Sequence, residues 1–279
     1  MSEIKSANGL VLNTHHWPVE TPVSVMMLVH GLGEHGGRYA PMARFLNEHN
    51  IAVVGVDLHG HGKTDGKRGV IASYDDFRAD LSSLIDFTKH LYPDTHLTLY
   101  GHSMGGGIVL DYGINVPSGL PIIASAPLIA LPNPVPAPLR FIIKALARIK
   151  PDLSLSQPLV GEKISTLADE QELYDADPLN HNTLGFKTAV EIVENGERLS
   201  ELAHRWDRPL LLLHSKDDQL TAFDGSETFA SEASQVEFHA FENCAHEMHN
   251  DVTREAVHHL MRDFILKHAK AKPSWKSII

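Results

Sequence analysis

Residues 96–107, His96-Leu97-Thr98-Leu99-Tyr100-Gly101-His102-Ser103-Met104-Gly105-Gly106-Gly107, decide how the rest of the chain is read. Leu97 and Leu99 alternate with Thr98, which predicts a buried strand. Ile108, Val109, Leu110 and Tyr112 continue with helical spacing. Between the two patterns stands Gly-x-Ser-x-Gly, from Gly101 to Gly105. A serine raised on a sharp strand-to-helix turn has neighbours, two residues before and two after, with no room for a Cβ, and glycine removes that clash. Met104 then opens the helix, where its N–H can face a developing negative charge. Taken alone, the pattern also suits a glycine-rich turn carrying a surface serine, so the remaining sequence must decide.

The chain has 279 residues, enough for one large α/β domain or a domain carrying an insertion. A formal net charge of -11 argues against a nucleic-acid partner. The 19 histidines are scattered and none has the spacing of a helical zinc site. The single cysteine, Cys244, excludes an internal disulfide framework and fits a reducing compartment. Residues 1–20 lack the pattern of a secretory signal, Val23 to Val29 is too short to span a bilayer, and Ser2 replaces the glycine that myristoylation requires. The expectation is a soluble, cytoplasmic protein.

Asn8-Gly9 between short alternating runs predicts a hairpin. Val23 to Val29 predicts a strand buried on both faces and ends at His30-Gly31-Leu32-Gly33-Glu34-His35-Gly36-Gly37-Arg38-Tyr39. Glycines at a strand end bring backbone N–H groups close to a ligand, so Leu32 N–H is a candidate oxyanion donor; a plain strand-to-helix connection is the alternative. A helix over 41–50, a strand over 51–56, a loop over 57–69 and a helix over 74–91 follow. Asp57, His59 and His61 share that loop without further ligands around them, so no metal is expected. Ile122 to Ala126 is another strand. Strands alternating with helices mean a mostly parallel sheet with helices on both faces, and in such sheets ligands bind beyond the carboxyl ends of strands. Ser103 and the Gly31-Leu32 loop both lie there.

Proline punctuates 127–138, and no strand pattern returns until Pro209. Residues 127–205 are therefore read as a cap inserted into a core of 1–126 and 206–279. Within the cap, 139–150 predicts an amphipathic helix with Arg140, Lys144 and Arg148 on one side. Phe141, Ile142, Ala145, Leu146 and Ile149 fill the other. Such a helix can touch a membrane surface or cover an acyl channel, or it can pack on the core with a solvated basic face. Another helix is expected over 183–194. Leu210 to Leu213 and Gln235 to Phe241 complete the sheet, a closing helix covers 252–268, and the tail beyond Lys270 is expected to be loose.

A serine nucleophile needs a base, and the base needs an acid to fix its tautomer. Strand exits after Ser103 offer Asp217 and Asp218, then His246. Asp218, which precedes Gln219-Leu220, is favoured over Asp217, and the loop residue His246 over His239 and His249.

The sequence resembles the monoacylglycerol lipase and lysophospholipase group of the α/β-hydrolase superfamily. The resemblance runs through the stretch 30–39, Asp57-Leu58-His59-Gly60-His61-Gly62, Gly101-His102-Ser103-Met104-Gly105-Gly106, Ser125-Ala126-Pro127, Asp177-Pro178-Leu179, Asp218 and His246. It implies an α/β-hydrolase fold with a cap, Ser103 as nucleophile, Asp218 as acid and His246 as base. Leu32 and Met104 would be the oxyanion donors. Departures are Lys63-Thr64, where the group often has serine, and Ser215, where it often has glycine. The expected reaction is hydrolysis of a single-chain lipid ester through an acyl-enzyme, with lysophospholipid or a simple ester as alternatives, and a non-catalytic binding protein as the rival of another class. Gly31, His102, Phe141, Ile142 and Leu146 are the expected substrate contacts. No metal or organic cofactor is required, and transient contact of the cap with a membrane is the one partner surface suggested.

Overall fold

The computed structural model describes residues 4–6, 9–156 and 161–269. Near the start, β1 (Ile4–Lys5) pairs antiparallel with β2 (Val11–Leu12) as a separate ribbon. Gly9 takes φ +86° in the turn, while Asn8 of the expected hairpin lies outside the described residues. Then come β3 (Thr14–Trp17), β4 (Ser24–Val29), α1 (Ala40–Asn47), β5 (Ile51–Val56), α2 (Tyr74–Leu91), β6 (His96–His102), α3 (Met104–Asn115) and β7 (Ile122–Ser125). Between β7 and the next strand of the central sheet lie α4 (Ala137–Ile149), β8 (Ser154–Ser156), α5 (Gly161–Ile164), α6 (Ala168–Ala176), β9 (Thr183–Gly185) and α7 (Phe186–Leu202). The chain closes with β10 (Leu210–Ser215), α8 (Phe223–Glu232), β11 (Val236–Phe241) and α9 (Arg254–His268).

The central sheet has seven strands in the order β11-β10-β7-β6-β4-β5-β3, parallel except for β3. From β4 the chain moves to β5 on one side and later returns to β6 on the other. The crevice beyond the ends of β4 and β6 is therefore the topological switch point where such sheets bind ligands. Every residue of β4 and β5 is buried, which explains the apolar runs from Val25 to Val29 and from Ile51 to Val56. Side chains still alternate. Val25, Met27 and Val29 pack with Phe77, Leu81 and Ile108 on one face, while Met26 and Leu28 pack with Met42, Met261 and Phe264 on the other.

Helix α2 begins where the acidic pair predicts, and its cap is Ser73. The Ser73 hydroxyl accepts from Asp75 N–H, and the Asp76 carboxylate accepts from Ser73 N–H. The segment 127–205, expected to be a cap, departs from the sequence reading at two places. It contains a short antiparallel pair, β8 with β9, and α7 begins at Phe186 and runs to Leu202, not over 183–194. The pair occupies 183–185 and delays the helix, while Ile192, Asn195 and Leu199 keep a buried stripe running beyond 194. Gly196 allows that stripe to press onto the core, since a Cβ there would lie 2.3 Å from Ile129 O. The described residues contain no helix long and apolar enough to cross a membrane. The tail beyond 269 lies outside the described residues.

Candidate active site

Ser103 stands at the junction of β6 and α3 with φ +54° and ψ −117°, a left-handed conformation that costs a non-glycine residue energy. The surroundings enforce it. Ser103 N–H donates to Ser125 O at 3.0 Å, and Ser103 O accepts from Gly107 N–H at 3.1 Å and Leu128 N–H at 2.9 Å. The flanking glycines are sterically required. A Cβ on Gly101 would meet Gly105 O at 2.3 Å, and one on Gly105 would meet Val29 O at 2.2 Å. Gly31 is similarly pinned, since its Cβ would lie 3.2 Å from that of Ser103. The two strand ends thus touch, and Leu32 follows directly beside the serine. Among the described residues, no hydrogen bond uses the N–H of Leu32 or of Met104. Both donors are therefore available to an oxyanion.

Asp218 and His246 come from the exits of β10 and β11. His246 Nδ1–H donates to Asp218 Oδ2 at 2.6 Å, and both side chains are buried. The other carboxylate oxygen, Oδ1, accepts from the N–H of Leu220 at 2.7 Å and of Thr221 at 3.1 Å. Burial works against the charge on Asp218, but the facing histidines, His246 first, hold its pKa well below the usual carboxylate range. Burial likewise opposes charge on His246, yet Asp218 outweighs it and raises the imidazole pKa. Asp217 points elsewhere and accepts from Asn243 N–H.

Ser103 and His246 line the same cavity, of about 250 Å³. No hydrogen bond joins the Ser103 hydroxyl to His246 in this arrangement among the described residues. Such bonds are often long before substrate arrives and tighten in the reacting complex. His102 lies between His246 and His249, its ring centroid 4.6 Å from the former and 5.0 Å from the latter. Burial, aided by His246, keeps the pKa of His102 well below the ordinary imidazole value.

Sequence reasoning missed the buried polar floor of the cavity. Arg38 bonds Glu34 Oε2 at 2.7 Å and Glu247 through both oxygens, at 2.5 and 2.8 Å. Glu34 also accepts from Gly31 N–H at 2.6 Å and Tyr39 OH at 2.7 Å, which fixes the loop presenting Leu32. Burial, with Glu247 nearby, raises the pKa of Glu34, while Arg38 overcomes burial and lowers that of Glu247. The signal was present, since Glu34 and Arg38 lie in the stretch 30–39 that carries the resemblance and Glu247 adjoins His246.

Atoms of Glu34, His102 and Glu247 are close enough to share a cation, as are those of His15, His35 and Asp57. In the first group the Arg38 guanidinium already supplies positive charge. In the second, Asp57 accepts from His15 at 2.7 Å, Asn13 at 2.8 Å, and the N–H groups of Gly36 and Lys63 at 2.9 Å. Thr64, at one of the departures from the family pattern, bonds Asp57 O at 2.6 Å through its hydroxyl.

Of the expected substrate contacts, Gly31 and His102 line the cavity. Phe141 and Ile142 do not; they are 75% and 52% exposed. Leu146 is half-buried and is not part of the cavity wall, which α4 supplies through Arg140 and Ile143. The expected orientation of α4 is thus corrected, and the cause is α7. Arg140 pairs with Glu197 through both guanidinium nitrogens, and Lys144 pairs with Glu194, so these two basic residues turn toward α7, while Arg148 is exposed. The apolar arc then faces outward.

The family model described as serine aminopeptidase, S33 (Hydrolase_4) matches residues 20–253. An uncharacterized abhydrolase domain-containing protein of Dictyostelium discoideum is 30% identical over 91% of this chain, which spans 28% of that protein's length. A monoacylglycerol lipase of Mycolicibacterium smegmatis is 27% identical, with 90% of this chain and 91% of that protein covered. The crystal structure of a Paleococcus ferrophilus monoacylglycerol lipase superposes with a TM-score of 0.82 at 31% identity, covering 92% of this chain and 99% of that one. Fold, strained serine turn and relatives agree on a serine hydrolase, and the chain belongs to the serine aminopeptidase S33 family of α/β-hydrolases.

Proposed function

We propose that this hydrolase cleaves single-chain lipid esters, with monoacylglycerol as its principal substrate, through a triad of Ser103, His246 and Asp218. The observation that carries the reading is the two-ended cavity. Ser103, His246, Glu34 and Glu247 make a polar end, and Leu131, Val135, Ile143, Leu184, Ile192 and Val193 make an apolar sleeve. A carbonyl held at the serine then puts one acyl chain in the sleeve and a small alcohol against the polar end. Relatives named monoacylglycerol lipase over most of this chain support the same substrate.

Ser103 Oγ attacks the ester carbonyl as His246 Nε2 takes its proton. Asp218 holds the Nδ1–H and stabilises the imidazolium. The oxyanion falls to the N–H groups of Leu32 and Met104, each such donor contributing about 3 kcal/mol. The imidazolium protonates the leaving alcohol, and water, activated by the same imidazole, releases the fatty acid.

The basic face of α4 no longer argues for a phosphate headgroup, because Glu197 and Glu194 occupy Arg140 and Lys144. Recognition of a peptide α-ammonium calls for an unpaired carboxylate in the cavity, and both Glu34 and Glu247 are bound to Arg38. Leu139, Phe141, Ile142 and Ile149 are exposed on α4, and we read this arc as the part of a cytoplasmic protein that touches lipid transiently.

The test compares kcat/KM on monoacylglycerols, diacylglycerols, lysophospholipids and p-nitrophenyl esters of rising chain length. Each buried methylene should contribute about 0.8 kcal/mol until the sleeve is full. Activity that peaks at acetate and falls with length defeats the lipid reading. Fluorophosphonate labelling that survives Ser103→Ala defeats the triad.

A further inference from the structure

A second histidine touches the proposed triad acid. His214 lies at the end of β10, fully buried, with its ring bridging α8 and the Asp218 loop. Its Nδ1 is 2.7 Å from Ser226 Oγ. Its Nε2 is 3.3 Å from Asp218 Oδ2, from Thr221 O and from Thr221 Oγ1. The carboxylate and the carbonyl can only accept, so Nε2 carries a proton, and the Ser226 hydroxyl fixes that tautomer by donating to Nδ1.

Asp218 Oδ2 is therefore shared. It faces His246 Nδ1 at 2.6 Å, the Thr221 hydroxyl at 2.9 Å and His214 on its remaining side. We propose that His214 is a positioning residue of the triad acid: its Nε2–H shares Asp218 Oδ2 with His246, setting both the acid's orientation and the basicity it lends the catalytic imidazole. The proposal rests on the triad reading above. A donor on the same oxygen draws electron density away from the short bond to His246. Among the described residues, Asp218 is the charged group that His214 faces, beside Thr221, Ser226 and the ring of Phe223. His246 additionally faces Glu34, Glu247 and the ring of His102, all of which stay in place when His214 is changed.

The test is the pH profile of kcat/KM on a soluble p-nitrophenyl ester, with fluorophosphonate labelling run alongside. His214→Phe keeps a planar ring and removes both nitrogens. Its acid limb should move up by about one pH unit, with a loss of about tenfold in kcat. His214→Gln retains a side-chain donor and should return the limb toward that of the unaltered enzyme. Ser226→Ala leaves His214 but frees its tautomer, and should give a smaller shift in the same direction. If His214→Phe does not fold, the Ser226→Ala variant decides, through its acid limb and the downfield His246 Nδ1–H resonance, both of which should move. Acid limbs and resonance unmoved in every folded variant, with stability alone reduced, overturn the proposal and leave His214 a packing residue. Absence of Ser103-dependent labelling in the unaltered protein removes the triad itself, a distinct failure.

Discussion

Ser215 Oγ donates a 2.6 Å hydrogen bond to the carbonyl of Cys244, joining the loop that carries Asp218 to the loop that carries His246. The same oxygen accepts from Asp217 N–H at 3.1 Å, and the residue is fully buried. A glycine at this position would leave that brace out. Ser215→Ala is expected to cost about 1–2 kcal/mol, because it strands a buried carbonyl. Loosening the approach of His246 should also lower kcat by up to about tenfold. Thermal melts and steady-state kinetics check both, and an unchanged kcat would show that the brace serves stability alone.

The raised pKa of His246 has a kinetic sign. The base acts only when neutral, so kcat/KM should fall as pH drops through a midpoint above the ordinary imidazole value of about 6.5. Profiles with a soluble ester, taken within the range where the fold is intact, report that midpoint directly. One below about 6 would contradict the influence assigned to Asp218.

Stability should respond in the opposite part of the range. Burial lowers the pKa of His30 to about 4, of His249 to about 3 and of His258 to about 4. An unfolded chain takes up these protons near pH 6.5, and the folded chain refuses them. Each histidine therefore removes about 1.4 kcal/mol of stability per pH unit as pH falls from about 6.5 toward its folded value. His246 works the other way, contributing stability below pH 6.5 that is lost as pH rises through its raised value. The depressed group is larger, so urea midpoints should decline steadily between about pH 6.5 and 4. A flat midpoint across that interval counts against the burial of these rings.

Phe141 and Ile142 project from α4 without lining the cavity. Phe141→Ser with Ile142→Ser should keep kcat/KM on a soluble short ester within about twofold, as expected for surface positions. Binding to phospholipid vesicles should weaken by up to about 1.5–3 kcal/mol for each side chain that inserts. Vesicle sedimentation measures the difference, and unaltered partition would remove α4 as the contact.

Cys244 is 1% exposed, and burial raises its thiol pKa. Although it precedes His246 by two residues, it is a poor target, since the thiolate is the reactive form. Maleimide should label the folded protein much more slowly than the protein in denaturant, and loss of activity should track unfolding. Rapid labelling of the native enzyme, followed by mass spectrometry, would falsify this.

The legible part of the molecule was the part written in local chemistry. The Gly101 to Gly105 turn announces itself because its steric demands fall on consecutive residues, and the bounds of β5 and α2 follow from periodicity and strand-length apolar runs. Chain order and strand exits nominated Asp218 and His246, and the fold brings the two into a hydrogen bond. The ribbon of β8 with β9 was hidden because three-residue strands carry too little pattern, and the late start of α7 was hidden with it.

By itself, then, the sequence determined the order of the strands in the central sheet's core and the strained serine turn, both of which depend on neighbours close along the chain, and it nominated Asp218 and His246 from the ends of regular strands. Tertiary structure alone decided which side of α4 faces the cavity, because the answer lies in Glu194 and Glu197 on another helix. It also decided that Arg38 would join Glu34 to Glu247, and that His214 would share Asp218 with His246. Those contacts are selected by the cost of burying charge without a partner, and the partner's position is known only once the chain has folded.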